Sequence, residues 1–393
     1  MNKIKILDCT LRDGGYYNNW DFSEKLISKY LNSMSACGVE YVELGFRSFE
    51  SSTFKGACAY TQDEFLNNLK ISKTLKVAVM INASELLNYK TKNPLLNIKL
   101  LFKKNKNSLI KLVRLACHYH EIDKVLVVAN WLKKQGYKVG INLMQIDQRS
   151  EQEIENVGKI LKKTSINVLY FADSMGGLET INIGKIISLL KKNWNGDLGI
   201  HTHDNMSRAI ENTNTAFKAG VKWIDSTVMG MGRGPGNAKT EYIVLQYKDY
   251  INRKVNFIPL LNTIDQEFKP LKDKYNWGTN PFYFLSGMHG IHPTFIQGML
   301  NDVRFSNEDI ISVIDHLKKI GGQKFNKNLL DIDKSMYHGK CTGTWKPSEK
   351  IKNKEVLILG TGPGVENHKK SIENYISKKK PFVIGLNTQK SIN

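Results

Sequence analysis

The sequence predicts an α/β protein: a (β/α)8 TIM barrel with a C-terminal helical extension and a short β-α-β unit. Three observations predict it. Eight short apolar, β-rich runs recur over about the first 240 residues; amphipathic stretches lie between them; and Gly38, Gly136 and Gly220 stand where helix gives way to strand. Strands that alternate with helices pair in parallel through right-handed crossovers, and eight such units close a barrel. An open, doubly wound sheet usually has about six strands and brings its first and seventh strand ends together less naturally.

The strands are expected at 4–7, 41–44, 77–81, 111–116, 139–144, 168–172, 198–201 and 223–228. Apolar residues at three-to-four spacing predict helices over 23–37, 123–135, 152–163, 181–192 and 207–219. Residues 1–250 therefore form the barrel. Residues 251–345 break the alternation and are richer in aromatics, with Tyr283-Phe284-Leu285 and His289-Gly290-Ile291-His292-Pro293 and a helical stretch at 307–319; they read as a helical extension near the barrel mouth. Trp345-Lys346-Pro347 reads as a linker, and 353–393 as one β-α-β fragment, too small to bury a core of its own.

Composition excludes several classes. Hydrophobic residues make up 41% of 393, no apolar run reaches membrane-spanning length, and the N-terminus lacks the apolar core of a signal peptide. The five cysteines are scattered with no C-x-x-C, as in reduced, cytoplasmic proteins. The formal charge is +20, but the excess is lysine spread thinly, and Lys103-Lys104-Asn105-Lys106 and Lys378-Lys379-Lys380 carry no interleaved aromatics. A basic patch counts only when clustered on a face, so neither nucleic acid nor membrane is expected as a partner. A homo-oligomer is expected.

The chemistry lies in two distant segments. Leu11-Arg12-Asp13-Gly14-Gly15 follows the first strand, and His201-Thr202-His203-Asp204-Asn205 ends the seventh. His201 and His203, two apart on a strand, share a side. With Asp13 they make a carboxylate and two imidazoles, a divalent-metal ligand set with positions left for substrate. Arg12 beside them can bind a carboxylate and meet an enolate oxygen; its structural alternative is an ion pair with Glu43. Glu43, Arg114, Asp173 and Ser174 fall at or near other strand ends, where side chains converge on one mouth. The run from Gly230 to Asn237 holds Gly232 and Gly234, which let backbone approach a ligand, and Asn237 could lend the metal an oxygen. His118 and His120 form a second pair without a clear third ligand. Gly360-Thr361-Gly362-Pro363-Gly364 fails the dinucleotide pattern because Val365 follows where glycine is needed.

Thr10-Leu-Arg-Asp-Gly14, Glu43-Leu-Gly45, Ala172-Asp-Ser174, His201-Thr-His-Asp-Asn205 and the glycine run ending at Asn237 together resemble the HMG-CoA-lyase-like metal-dependent barrels, a group that includes 4-hydroxy-2-oxovalerate aldolase. The resemblance implies a divalent metal (Mn2+ or Mg2+, with Zn2+ or Co2+ also accommodated) on Asp13, His201, His203 and sometimes Asn237. It implies Arg12 as the enolate-stabilising residue and a small 2-oxo acid as substrate. Two departures refine it. Condensing synthases of the group carry Gly-Glu-Gln after Arg-Asp, where this chain has Gly14-Gly15-Tyr16. The aldolases carry a histidine as base where this chain has Tyr16, so Tyr16 is expected to touch substrate and the base to be Glu43, Tyr17, His289 or His292. The expected function is a divalent-metal-dependent aldolase working through a pyruvate-type enolate. The alternatives are a Claisen-type acyl-CoA transferase and a non-catalytic, nucleotide-linked protein of polysaccharide synthesis, the latter from a likeness of the C-terminal unit to nucleotide-handling domains.

Overall fold

Uninterrupted apolar and β-branched runs become strands here because both faces of each are covered, by helices outside and by the barrel interior inside. A computed structural model describes residues 3–302, 305–326, 348–360 and 363–386. The first eight strands are β1 (Lys5–Asp8), β2 (Tyr41–Phe46), β3 (Lys76–Asn82), β4 (Ile110–Cys117), β5 (Lys138–Leu143), β6 (Val168–Asp173), β7 (Asp197–Thr202) and β8 (Trp223–Ser226). They pair in parallel in chain order, and β1 closes on β8 with Lys5 opposite Trp223 and Asp8 opposite Ser226.

The five predicted helices appear as Glu24–Ala36, Ile122–Lys134, Glu151–Leu161, Thr180–Lys191 and Ala209–Lys218. Their starts have local causes. Ser23 accepts from the amide of Leu26, and Ser150 and Glu153 cap each other. The last helix starts two residues later than its apolar pattern suggests, because Ser207 is left-handed (φ 57°) and Asp204 caps the amide of Ala209 at 3.0 Å. The strand expected at 223–228 stops at Ser226, where the chain turns through Val228–Gly230 with Met229 at φ 52°.

The barrel interior is layered. Leu7, Tyr41, Leu112, Val168, Tyr170 and Trp223 form an apolar plug. Gly199 is required there, since a Cβ would meet the Tyr170 ring at 2.4 Å. Phe46, Met80 and Ala116 pack at the mouth. Between plug and mouth lies a charged layer of Glu43, Arg114 and Asp225, all buried.

The chain divides into two units, Met1–His338 and Gly339–Asn393. The helical extension therefore belongs with the barrel. Its first helices, Ile258–Thr263 and Lys269–Tyr275, flank a π-helical turn at Ile264–Phe268, and Ser33 donates to the carbonyl of Pro259. The loop after them crosses the mouth: the Trp277 indole donates to the carbonyl of Met229, the amide of Gly278 to the carbonyl of Gly234, and Thr279 to the carbonyl of Asn205. Helices Pro281–Met288, Pro293–Leu300 and Asn307–Ile320 then enclose a small core of Tyr283, Ile291, Phe295, Met299, Val313 and Leu317. In the second unit, β9 (Val356–Leu359) pairs in parallel with β10 (Phe382–Gly385), and helices Pro363–Asn367 and Lys369–Lys379 lie between them in sequence, as the β-α-β reading requires. The expected linker Trp345-Lys346-Pro347, Cys341 and the turn residues Thr361 and Gly362 lie outside the described residues. No helix among the described residues is long and apolar enough to cross a membrane.

Candidate active site at the barrel mouth

Arg12 and Asp13 sit on a one-turn helix, Thr10–Gly14, that springs directly from β1. That helix is anchored by Asp8, which accepts from Thr10, Tyr30 and Thr240. His201 is on β7, and His203 lies just beyond it, bridged in antiparallel fashion to Asn237. The glycines of the 230–237 run make that bridge possible: Gly236 is at φ +80°, and a Cβ there would meet the carbonyl oxygen of Gly230 at 2.1 Å.

The three distant residues converge. Ligand atoms of Asp13, His201 and His203 all lie within 4.8 Å of one another, and all three side chains are buried. Asp13 Oδ1 accepts from Arg12 Nη1 at 2.6 Å, while Oδ2 accepts from Asn237 Nδ2 at 2.5 Å and lies 3.6 Å from His201 Nε2. Burial opposes the Asp13 charge, but Arg12 and then the two histidines outweigh it and hold the carboxyl well below the usual range. His203 moves the other way: burial first, then His201, lowers its imidazole to about 3, so it is neutral and its lone pair is available. His201 Nδ1 is 3.0 Å from Asp225 Oδ2, and a carboxylate only accepts, so Nδ1 carries a proton and Nε2 is the ring nitrogen turned towards Asp13. His203 Nδ1 and Asn237 Oδ1 are buried without a protein partner.

Beneath this cluster the charges interlock. Arg12 Nε donates to Glu43 Oε2 at 2.8 Å; Arg114 donates to both Glu43 oxygens, at 2.8 and 2.6 Å, and to Asp225 Oδ2 at 2.6 Å. The path Asp13–Arg12–Glu43–Arg114–Asp225–His201 thus returns to Asp13. Arg114 also lies over the Tyr170 ring, 4.6 Å from its centroid, which joins the charged layer to the apolar plug. Arg12 keeps one donor, Nη2, buried and unpartnered.

The cavity above is lined by Arg12, Asp13, Tyr16, Ser174, His201 and His203 together with residues the sequence reading did not single out: Phe46, Met80, Asn82, Ala116, Asn142, Met144, Ala172 and Arg233. Asn82, Ala116, Asn142 and Ala172 occupy the last two residues of their strands, or the last but one, on the inward side of the pleat. Period-two counting outward from inward-facing plug residues such as Ala78, Leu112, Tyr170 and Trp223 finds Asn82, Ala116, Ala172 and also Asp225.

Other expected residues sit elsewhere. Glu43 and Arg114 lie below the cavity rather than in its wall, and both Glu43 oxygens accept from arginines. Asp173 is absent from the cavity wall. Its neighbours Ala172 and Ser174 face the cavity, and its Oδ1 accepts the amides of Gly177 and Leu178, tying down the loop after β6. Gly232 packs against Asn237 and Asp13, since a Cβ there would lie 2.3 Å from Asn237 Nδ2 and 3.1 Å from Asp13 Oδ2; Gly234 presents its carbonyl to the Tyr17 hydroxyl. Burial raises the Tyr17 phenol well above its usual value, so Tyr17 keeps its proton. Burial, with Arg233 next, lowers His292 to about 2, and its Nδ1 caps the amide of Thr294. His289 ends the helix Pro281–Met288. His118 and His120 stack at 5.7 Å in a short turn capped by Glu121, and no metal-ligand group among the described residues includes them.

Asp173 makes a stability prediction. Burial, with Asp147 next, pushes its carboxyl up to about 7 against an ordinary value near 3.8. Between those values the unfolded chain has lost the proton and the folded chain keeps it, so this group's stability is full at low pH and is lost as pH rises towards 7, by up to about 4 kcal/mol. Asp173→Asn is expected to flatten that part of the pH profile. Melting curves of both proteins at pH 5 and pH 8 that run parallel would refute it.

Comparison with known proteins agrees with this geometry. The sequence profile of the HMGL-like family matches residues 3–265. An oxaloacetate decarboxylase of Mycobacterium tuberculosis is 22% identical over 290 residues, covering 73% of this chain and 82% of the relative. A 4-hydroxy-2-oxovalerate aldolase of Bacillus cereus is 24% identical over 336 residues, covering 82% and 93%. Among solved structures, the N-terminal domain of a presumptive aldolase from Bacteroides vulgatus superposes with a TM-score of 0.68 at 33% identity, covering 79% of this chain and 99% of that one. The chain belongs to the HMGL-like family, as an enzyme of lyase type.

Proposed function

We propose that this protein is a divalent-metal-dependent aldolase that cleaves a 2-oxo acid by way of a pyruvate-type enolate. The observation that carries the reading is the convergence of Asp13, His201 and His203 within 4.8 Å beside an arginine that keeps a buried donor free. The residues fit a divalent cation. They offer a carboxylate held ionised, two imidazoles with available lone pairs, and the unpartnered Oδ1 of Asn237. Such oxygen and nitrogen donors accept Mn2+ or Mg2+ as well as Zn2+ or Co2+. When bound, the cation supplies Lewis-acid polarisation of the substrate's 2-oxo group.

The chain's own residues do the rest. Arg12 Nη2 is a donor for the oxygen on which charge grows as the bond between substrate carbons 3 and 4 breaks, the electron pair moves onto the oxo-acid fragment, and the 4-hydroxyl releases its proton to solvent at the mouth as carbon 4 becomes the aldehyde carbonyl. Glu43 fixes the other edge of that guanidinium and is itself fixed by Arg114, so the donor need not reorganise during reaction. Tyr16, packed against Trp20 at 4.9 Å and Phe46 at 6.2 Å, walls the cavity and limits water. Ser174 and the glycine backbone at Gly232 and Gly234 complete the surroundings of the substrate. The four described cysteines are free and buried, which suits a cytoplasmic setting, and we take the protein to act there as a homo-oligomer.

The test is divalent-metal content of wild type beside His203→Ala, with methyl-proton exchange of pyruvate in D2O as readout. Stoichiometric metal in the wild type, lost in the variant, with exchange only in the wild type, is the expected result. Metal without exchange would point to a different carbonyl substrate. A wild type that takes up no metal would sink the reading.

A further inference from the structure

A second guanidinium shares the cavity. Arg233, from the glycine run after β8, lines the same wall as Arg12 and Asp13. Its carbon Cζ stands 5.9 Å from the Tyr16 ring centroid, which holds it at the mouth. Its Nε is buried and unpartnered, like Nη2 of Arg12. Among the described residues its side chain makes no ion pair and no hydrogen bond, although the other arginines of the site, Arg12 and Arg114, are each held by two carboxylates. The charged side chains of the site can then be counted. Arg12, Arg114 and Arg233 balance Asp13, Glu43 and Asp225, so a divalent cation leaves two positive charges for the ligand to match. A 2-oxo monoacid matches one. A cavity with low-dielectric walls penalises the uncompensated charge that remains.

From the two open arginine donors in one cavity we infer that the substrate is at least a dianion: a 2-oxo acid with a second anionic group, a carboxylate or a phosphate, bound by Arg233. This rests on the reading above. There, the 2-oxo acid end belongs to the Asp13, His201, His203 and Arg12 side of the cavity. Phe46, Met80, Ala116 and Met144 offer that group no donor, and Asn82, Asn142, Ser174 and Tyr16 offer only neutral ones, so the charge that selects for it is that of Arg233. The guanidinium is also suited to the task, since its fork matches carboxylate and phosphate oxygens in a bidentate way.

The test is calorimetric binding to Mn2+-loaded protein of two length-matched acids, 2-oxopentanoate and 2-oxoglutarate, which differ by a terminal carboxylate, with 3-phosphonooxy-2-oxopropanoate as the phosphate-bearing probe. Wild type is expected to bind one of the two dianions at least about tenfold more tightly than the monoanion, as for a charge-assisted pair. Arg233→Met is expected to lose that preference while still binding the monoanion, and Arg233→Lys to recover part of it. Equal affinity for monoanion and both dianions in wild type, or a preference that survives in Arg233→Met, overturns the inference and leaves the metal-dependent reading standing. Binding of no 2-oxo acid in a metal-dependent way overturns both.

Discussion

Asp13→Ala and Arg12→Ala are expected to fail in different ways, although the residues are neighbours in sequence. Asp13 is the only carboxylate in the ligand cluster, and its ionisation is maintained against burial chiefly by Arg12. Without it, two neutral imidazoles and an amide oxygen remain, a set too weakly charged to hold a hard divalent cation, so metal and turnover are lost together. Arg12→Ala leaves all of those donors in place. It removes the guanidinium donor fixed beside the ligand cluster, where the negative charge develops, and loss of such a preorganised donor costs about 10²- to 10³-fold in kcat. Metal analysis beside steady-state kinetics separates the two. A metal-replete Arg12→Ala with wild-type kcat would refute the mechanism, and a metal-replete Asp13→Ala would refute the ligand assignment.

The second large effect is on folding. Arg114 is fully buried and carries three charge-assisted bonds, two to Glu43 and one to Asp225, themselves buried. Arg114→Met keeps most of the volume against Tyr170 but removes a buried positive charge, leaving Glu43 with Arg12 alone and Asp225 with His201 alone. Breaking a buried charge network by removing one partner costs about 3–5 kcal/mol, because the remaining charges lose their compensation and cannot reach water. Urea unfolding should show a midpoint lowered accordingly. A loss under about 1 kcal/mol, within the usual range of a surface change, would mean that the layer is not the support proposed here. The variant should also lower kcat where it still folds, since Arg114 fixes Glu43 and Glu43 fixes Arg12.

Much of this was legible in the chain. Each of the eight strands appears within two or three residues of where its apolar run lies, and the five amphipathic helices coincide with theirs. Asp13, His201, His203 and Asn237 stand together as their places at strand ends imply. The shortfalls have particular causes. Glu43 and Arg114 are counted from sequence as mouth residues, but they lie a layer lower; a strand's period of two says which side a residue faces and not how deep it sits. Asp173 ends the strand that Ser174 follows, yet faces the loop, because adjacent residues alternate sides. Arg233 is hidden in a glycine run that reads as backbone alone.

The sequence by itself determines the periodicities, hence the barrel, and the residue types at strand ends, hence a mouth rich in carboxylate and imidazole groups, because both depend on neighbours a few residues apart. Only the tertiary structure decides which charges meet. The closed path from Asp13 through Arg12, Glu43, Arg114, Asp225 and His201 joins five of the eight parts of the barrel, and nothing in local spacing encodes it. Its existence depends on strand register and on burial, which turn weak surface charges into strong, fixed partners.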